Sequence, residues 1–443
     1  MEKETASPQK NKSMFWLVTA AITAATLIIV GIMLYVVYTQ SKISERRSLA
    51  EKQFIRLNET GEVVSGVQED KRDAIVKIEI PEGVTTVGPR AFADCKNLAS
   101  VKFPSSISAI GHEAFADCPA LKELDIPEGL SVIGSEAFRG CAYFANNPLA
   151  IPASVRVVAD GAFVGVYQVN LRDDDPDFRK EKNGEIVDIK DNKLIFVPPA
   201  ALTGVYTTPE VDRIGGKAFK NGKKMTNIVI SKKTFMIGEE AFAGCEGLTD
   251  VVIPGNVRKI GNLAFENCTA LESVTFENGV KSLGKELFKG CKNIKSVTLP
   301  ASVNTIADGA FIGVAGVRLD SGNIYFQTGD KGEIFNMINI QSDDKEKQDD
   351  RKLIYVPNTI EGEYEVPAEV KSIAPEAFNG CEKLTRVVVA DDVAEIGGKA
   401  FNGCKNLVEV EIPGSLDDKN TEMSKRLEKL GLPANCKITV RKK

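Results

Sequence analysis

Polar and apolar positions alternate with a period of two in short segments that recur down the chain. They include Leu98-Ala-Ser-Val101-Lys-Phe103, Leu121-Lys-Glu-Leu124-Asp-Ile126, Leu248-Thr-Asp-Val251-Val-Ile253, Leu271-Glu-Ser-Val274-Thr-Phe276 and Leu407-Val-Glu-Val410-Glu-Ile412. Such alternation predicts strands with one face inward and one outward. A proline often ends the strand, as at Pro104, Pro127, Pro254, Pro300 and Pro413, where no ladder N–H is needed. Ile-Gly follows, as in Ile110-Gly111 and Ile133-Gly134, and suits a left-handed or tightly packed corner leading into a short helical piece. That piece carries Ala-Phe, or once Leu-Phe, at Phe92, Phe115, Phe138, Phe163, Phe219, Phe242, Phe265, Phe288, Phe311, Phe378 and Phe401. From Phe219 to Phe311 the spacing is 23 residues each time. A fixed period in this range predicts stacked units, none of which can bury its apolar face alone.

A longer period lies above the short one. Cys95, Cys118 and Cys141 recur 150 residues later as Cys245, Cys268 and Cys291, and Gly161-Ala-Phe-Val-Gly-Val166 recurs as Gly309-Ala-Phe-Ile-Gly-Val314. Each of these two blocks runs into a non-repeat insert, about residues 167–210 and 315–370, and a third, truncated block follows. Gly184-Glu-Ile186 and Leu194-Ile-Phe-Val-Pro198 in the first insert match Gly332-Glu-Ile334 and Leu353-Ile-Tyr-Val-Pro357 in the second. Both inserts read as β-hairpins, with Lys190–Lys193 as one tip and the charged run Gln341–Asp350 expanding the other. After the array, residues 417–443 read as a cap. Thr421–Gly431 is a helix with an N-cap and a terminating glycine, and Cys436–Val440 is a final strand.

The N-terminus differs in kind. Met14 to Tyr38 carries no charge and as a helix would span about 37 Å, more than the ~30 Å of a bilayer's hydrocarbon core. A cleaved signal would need a shorter apolar run and a small-residue cleavage site, and Tyr35–Ser41 offers no Ala-x-Ala. The expectation is an uncleaved transmembrane anchor at 14–38, between a tail at 1–13 and a juxtamembrane linker at 39–75, with the solenoid at 76–416. Lys3, Lys10 and Lys12 precede the span and Lys42, Arg46, Arg47 and Lys52 follow it, so basic-residue counts leave the orientation open.

The strand pattern resembles the leucine-rich repeat template. The fuller motif I-G-x-x-A-F-x-x-C-x-x-L-x-x-V-x-I-P, running from about Ile78 to Pro413, resembles the BspA-type leucine-rich repeat family of bacterial surface proteins. The resemblance implies an α/β repeat solenoid with a parallel sheet face and hairpin inserts. It also implies adhesion to a protein ligand, a host matrix protein or another bacterial surface protein, with the array outside the cytoplasm at the cell surface or in the periplasm. A scaffold holding another cell-envelope component is the alternative.

Composition adds limits. The chain is 43% apolar and 26% charged with a net charge of −5, which gives nucleic-acid binding little support. Eight of the nine cysteines (Cys95, Cys118, Cys141, Cys245, Cys268, Cys291, Cys381 and Cys404) occupy one repeat position. Val166, Gly222 and Val314 replace cysteine elsewhere, so the position reads as a buried slot for a small side chain. The single histidine, His112, fills a variable slot, which excludes zinc sites needing several. Gly279–Glu286 approaches a phosphate-binding loop, but Glu286 stands where Ser or Thr would hold magnesium. Asp173–Asp177 and Asp343–Asp350 lack the spacing of a calcium loop and read as solvated tips. No cofactor, metal or catalytic group is expected, and the chain does not read as an enzyme. Function is expected on outward strand positions. There Asn227, Val229, Asp250, Val252, Ser273, Thr275, Ser296 and Thr298 form a low-charge stripe, where charge is depleted as in interface cores.

Overall fold

The computed structural model describes residues 8–142, 148–337, 351–417 and 422–441. Within each block the repeats stack as a solenoid with three hydrogen-bonded walls per turn. One wall is a parallel sheet of the longer strands, such as Asp250–Ile253 beside Ser273–Phe276. The second is a parallel sheet of two-residue strands before the glycine, such as Ala109–Ile110 beside Val132–Ile133. The Ala-Phe corner makes the third. It is a run of turns rather than the helical piece expected, because its N–H groups bond to the next turn instead of along the chain.

The corner geometry rests on two left-handed residues per turn. Positive φ occurs two residues before the phenylalanine, as at Arg90, Glu113, Glu240 and Glu376, and two residues after it, as at Asp94, Asp117, Asn221 and Asn267. The second position holds Asp, Asn or Gly in every turn, the types that tolerate this conformation. Alternate N–H groups then face the following turn. Arg90 N–H donates to His112 O at 2.9 Å, Phe92 to Ala114 at 2.8 Å and Asp94 to Ala116 at 2.8 Å. The glycine after isoleucine is required by close approach, not by handedness. A Cβ on Gly134 would lie 2.6 Å from the Gly111 carbonyl carbon, and one on Gly261 2.5 Å from that of Gly238.

The phenylalanines are buried, and within the runs Phe92–Phe163, Phe219–Phe288 and Phe378–Phe401 each ring stacks on the next. Centroids are 4.9 Å apart for Phe219 and Phe242 and 5.1 Å for Phe242 and Phe265. Behind them every described cysteine is free and buried. In Cys118, Cys141, Cys245, Cys268, Cys291 and Cys404 the Sγ donates to the phenylalanine carbonyl of the preceding turn, at 3.1 Å from Cys118 to Phe92 and 3.2 Å from Cys268 to Phe242. Burial pushes the Cys95 thiol up to about 11 and the Cys141 and Cys245 thiols up to about 12, so they carry little thiolate at neutral pH.

The inserts are three-stranded antiparallel meanders. Phe178–Lys180, Ile186–Asp188 and Lys193–Phe196 form the first, and Lys193–Phe196 then pairs in parallel with Arg213–Ile214 of the next block. Phe326–Thr328, Ile334–Asn336 and Lys352–Tyr355 repeat this in the second insert. The expanded tip at Gln341–Asp350 lies outside the described residues. Each insert lends two aromatic rings that meet the phenylalanine stacks edge-on, one on each side of the seam. Phe196 meets Phe163 at 5.9 Å and Tyr206 meets Phe219 at 5.3 Å, while Tyr355 meets Phe311 and Tyr364 meets Phe378 at 5.7 and 5.4 Å.

At the C-terminus the helix Met423–Leu430 turns its end onto the last corner. Its carbonyls at Lys429 and Leu430 accept from Lys399 and Phe401 N–H at 2.7 and 3.0 Å, and Gly431 closes the helix in the left-handed region. The expected N-cap Thr421 lies outside the described residues. Lys437–Arg441 adds a last parallel strand on Glu409–Pro413. At the other end, helix α1 runs from Pro8 to Glu51. Its stretch from Thr23 is long and apolar enough to cross a membrane. Much of the segment read as a linker, residues 39–75, is therefore ordered structure. It holds the end of α1 and an antiparallel pair, Ile55–Leu57 with Val63–Val67, whose second strand pairs in parallel with Thr86–Val87.

Truncating one stacked ring tests this account. Phe242→Ala should cost about 3–5 kcal/mol in chemical denaturation, as for other buried aromatic truncations. Loss below about 1 kcal/mol would show that the stack is not a load on stability.

Candidate recognition surface

Outward positions of the longer strands line up in rows because the pairing is in register. One row runs Val205, Asn227, Asp250, Ser273. Beside it Thr207 pairs with Val229, and Val252, Thr275 and Thr298 continue in line to Arg318. Ser296 precedes the strand Val297–Leu299 and is exposed. The eight stripe residues thus share one face of a single six-stranded sheet. Val205 and Thr207 extend the stripe and escaped the sequence reading, since Thr203–Thr207 belongs to the insert and lacks the L-x-x-V-x-I frame.

Exposure and charge separate this sheet from its neighbours. Val205 is 67% exposed and Val229 and Val252 are 50% exposed. On the first block's sheet Lys102 pairs with Glu79, which holds the Glu79 carboxyl below its ordinary value. On the last, Arg386 binds Glu363, Glu411 and, at 3.1 Å, Glu409, while Arg441 binds Glu411 at 3.0 Å and Asp391 at 2.8 Å. On the last sheet Arg386 and Arg441 thereby join four carboxylates in one lattice. No ion pair among the described residues involves the stripe. The stripe also opens sideways into a groove of about 670 Å³ between the edge strand Thr203–Thr207 and the hairpin turn at Glu181–Asn183.

A buried anchor holds that hairpin. Glu185 is 2% exposed, and its Oε1 accepts from the Tyr206 hydroxyl at 2.7 Å and from the Asn183 side-chain amide at 2.9 Å. Glu333 and Tyr364 repeat the bond at 2.9 Å in the second insert. This explains the Gly-Glu-Ile match between inserts. Burial alone would raise the Glu185 carboxyl, but the bonds from Tyr206, Asn183 and backbone N–H outweigh it and lower it.

The other candidate groups are placed apart. His112 is exposed, its Nδ1 3.0 Å from Ser135 O. Asp175 is buried, and its Oδ1 accepts from Asp177 and Phe178 N–H at 3.0 Å, starting the first hairpin. Asn323 does the same at 2.9 and 3.0 Å in the second. Among the described residues no cluster of three or more His, Cys, Asp or Glu could hold a metal ion.

These features meet their known counterparts in one family. The BspA type leucine rich repeat model matches residues 71–172, 210–324 and 359–439, and the chain belongs to that family. The two gaps in the match fall on the inserts. Among solved structures the chain is similar to a leucine-rich repeat protein from Eubacterium ventriosum, at 20% identity and a TM-score of 0.51, over 81% of this chain and 91% of that one. It is also similar to the pneumococcal vaccine antigen PcpA, at 24% identity and a TM-score of 0.44, over 61% of each chain. A leucine rich cell surface protein from Faecalibacterium prausnitzii matches at 18% identity and a TM-score of 0.40, over 88% of this chain and 93% of that one. No curated protein matches the sequence. The likeness to the Eubacterium ventriosum protein speaks to the fold, a stacked parallel-sheet solenoid.

The anchor makes a pH-dependent contribution with a definite sign. Because the folded Glu185 carboxyl lies below its unfolded value near 4.3, its stabilisation is present above that value. It is lost as pH falls through the lowered folded value. Glu185→Gln should flatten that acid-side fall while costing roughly 1–3 kcal/mol at pH 7, read from denaturation midpoints between pH 7 and 3. An unchanged acid limb would remove Glu185 as its source.

Proposed function

We propose that the chain is a membrane-anchored, adhesin-like recognition module without enzymatic activity, which binds a protein ligand through the middle sheet. The observation that carries this reading is the contrast between sheets. Among the described residues the middle one presents in-register rows of exposed, weakly charged side chains, while the first carries Lys77, Lys102, Glu123 and Asp125 outward and the last ties its charges together through Arg386 and Arg441. A docking partner therefore has little charge to desolvate there, and half-exposed valines supply apolar area. The groove beside Thr203–Thr207 lets the first hairpin join the contact.

The anchor part of the proposal rests on the helix from Thr23 to Glu51, whose apolar side chains from Leu27 to Tyr38 find no cover in the fold. The run up to Tyr38 carries no charge, and with the helix's length it suits a spanning segment, with the array on the extracytoplasmic side.

Replacing both Val252 and Thr275 with lysine should weaken crosslinking to the cellular ligand by about tenfold or more, near 1.4 kcal/mol, with the thermal midpoint unchanged. Undiminished crosslinking would rule out the stripe. Protease added to intact cells should degrade the array, and cleavage seen only after lysis would rule out a surface adhesin.

A further inference from the structure

The corner ladder is interrupted at the first seam. Elsewhere N–H groups of one corner meet carbonyls of the next, as when Phe138 donates to Ala162 at 2.9 Å and Gly140 to Val164 at 2.9 Å. At the seam the next donors in sequence are Phe163 and Gly165, and the facing acceptors are Ala218 and Lys220. Among the described residues none of these four groups has its ladder partner. Between them the first insert joins Lys193–Phe196 to Thr203–Thr207 by a single 3-10 turn at Pro199–Ala201 and contributes no Ala-Phe corner.

The gap is a cavity of about 380 Å³, lined by Phe163, Val164, Phe196, Val197 and Leu202, with Lys220, Lys223 and Lys224 at one rim. That volume falls within the ~300–1,000 Å³ range of ligand pockets. Lys220 is held by Glu240 and Lys223 by Glu246 at 2.7 Å, while Lys224 forms no ion pair among the described residues. The seam itself is clamped, since Lys217 crosses it to bind buried Glu136, which Arg139 also binds at 2.7 Å.

The second seam serves as an internal comparison. Phe311 and Gly313 N–H likewise lack ladder partners among the described residues, but Val356 N–H occupies the Ala377 carbonyl at 2.8 Å. Tyr355 reaches across to bond Val314 O at 2.9 Å, and only about 10 Å³ remains. The connecting loop there is one residue shorter, Pro357 to Gly362 against Pro198 to Gly204.

We propose that the first seam binds an extended peptide segment of another protein, which completes the interrupted ladder. Donors on one wall and acceptors on the other call for a ligand offering both at backbone spacing, as an added strand does. The apolar lining calls for small apolar side chains, and the lysine rim for a carboxylate at one end. This site is separate from the sheet face, so V252K with T275K leaves it unaffected and the two readings fail independently.

The test uses the full chain in detergent and the labelled peptide acetyl-Ala-Val-Ala-Val-Asp. Fluorescence anisotropy should show saturable binding, and hydrogen exchange should slow at Phe163 and Gly165. N-methylating alternate peptide amides, or filling the cavity with Ala200→Trp, should each weaken binding at least tenfold. Lys224→Glu should abolish the preference for the acid over its C-terminal amide while leaving the fold intact. Absence of binding, equal binding of the N-methylated peptide, or unchanged exchange at Phe163 and Gly165 would overturn the proposal. Self-association of the chain that the peptide dissolves would assign the seam to a second copy instead, and overturn it as stated.

Discussion

The hydrogen bonds between successive Ala-Phe corners set the spacing to which everything else conforms. They require two left-handed residues in each turn, a conformation costing roughly 1–2 kcal/mol where a Cβ is present. In return the backbone of a sharp corner, which would otherwise bury unpaired N–H groups, is satisfied by its neighbour. The same spacing lets the phenylalanine rings stack and brings each thiol within reach of a carbonyl one turn back. Glycine after isoleucine follows from it too, because corners this close leave no room for a Cβ.

A ladder of this kind cannot simply stop. At the C-terminus a helix turns its own unpaired carbonyls onto the last donors, one set of orphan groups answering another. At the N-terminal end Arg72 reaches the Ala93 carbonyl of the first corner. The inserts solve the problem only partly. They give edge-on rings to the stacks on either side and start the short-strand sheet of the next block but omit a corner, and the buried Glu–Tyr bond fixes the hairpin that replaces it.

The repeat, its blocks and the buried cysteines were legible because each copy restates the same constraint. The Ala-Phe corner was misread as helical because alanine favours helices locally, whereas the bonds that decide its shape run between turns. Asp, Asn or Gly two residues after phenylalanine was the signal for a left-handed corner. The stripe could be read from alternation, yet its extension to Val205 and Thr207 could not. That strand's place in the sheet is set by pairing with Lys224–Val229, which no local pattern announces. Residues 39–75 looked like a linker because their strands are short and irregular, and Val63–Val67 is recognisable as a strand once its neighbour Thr86–Val87 is in place.

The junction of α1 with the array decides how the molecule can move. Arg46 lies over Gly83, Ile43 packs on Gly61, and Arg47 bonds the carbonyls of Asn58 and Glu59 at 3.1 and 2.8 Å. From Tyr38 to Glu51 the helix is unbroken and covers about 20 Å. On the proposed anchoring, the array is therefore a signpost on a stiff post and not a float on a string. It sweeps an arc at a set height, which concentrates it against partners at that height and denies it to those lying flat on the bilayer.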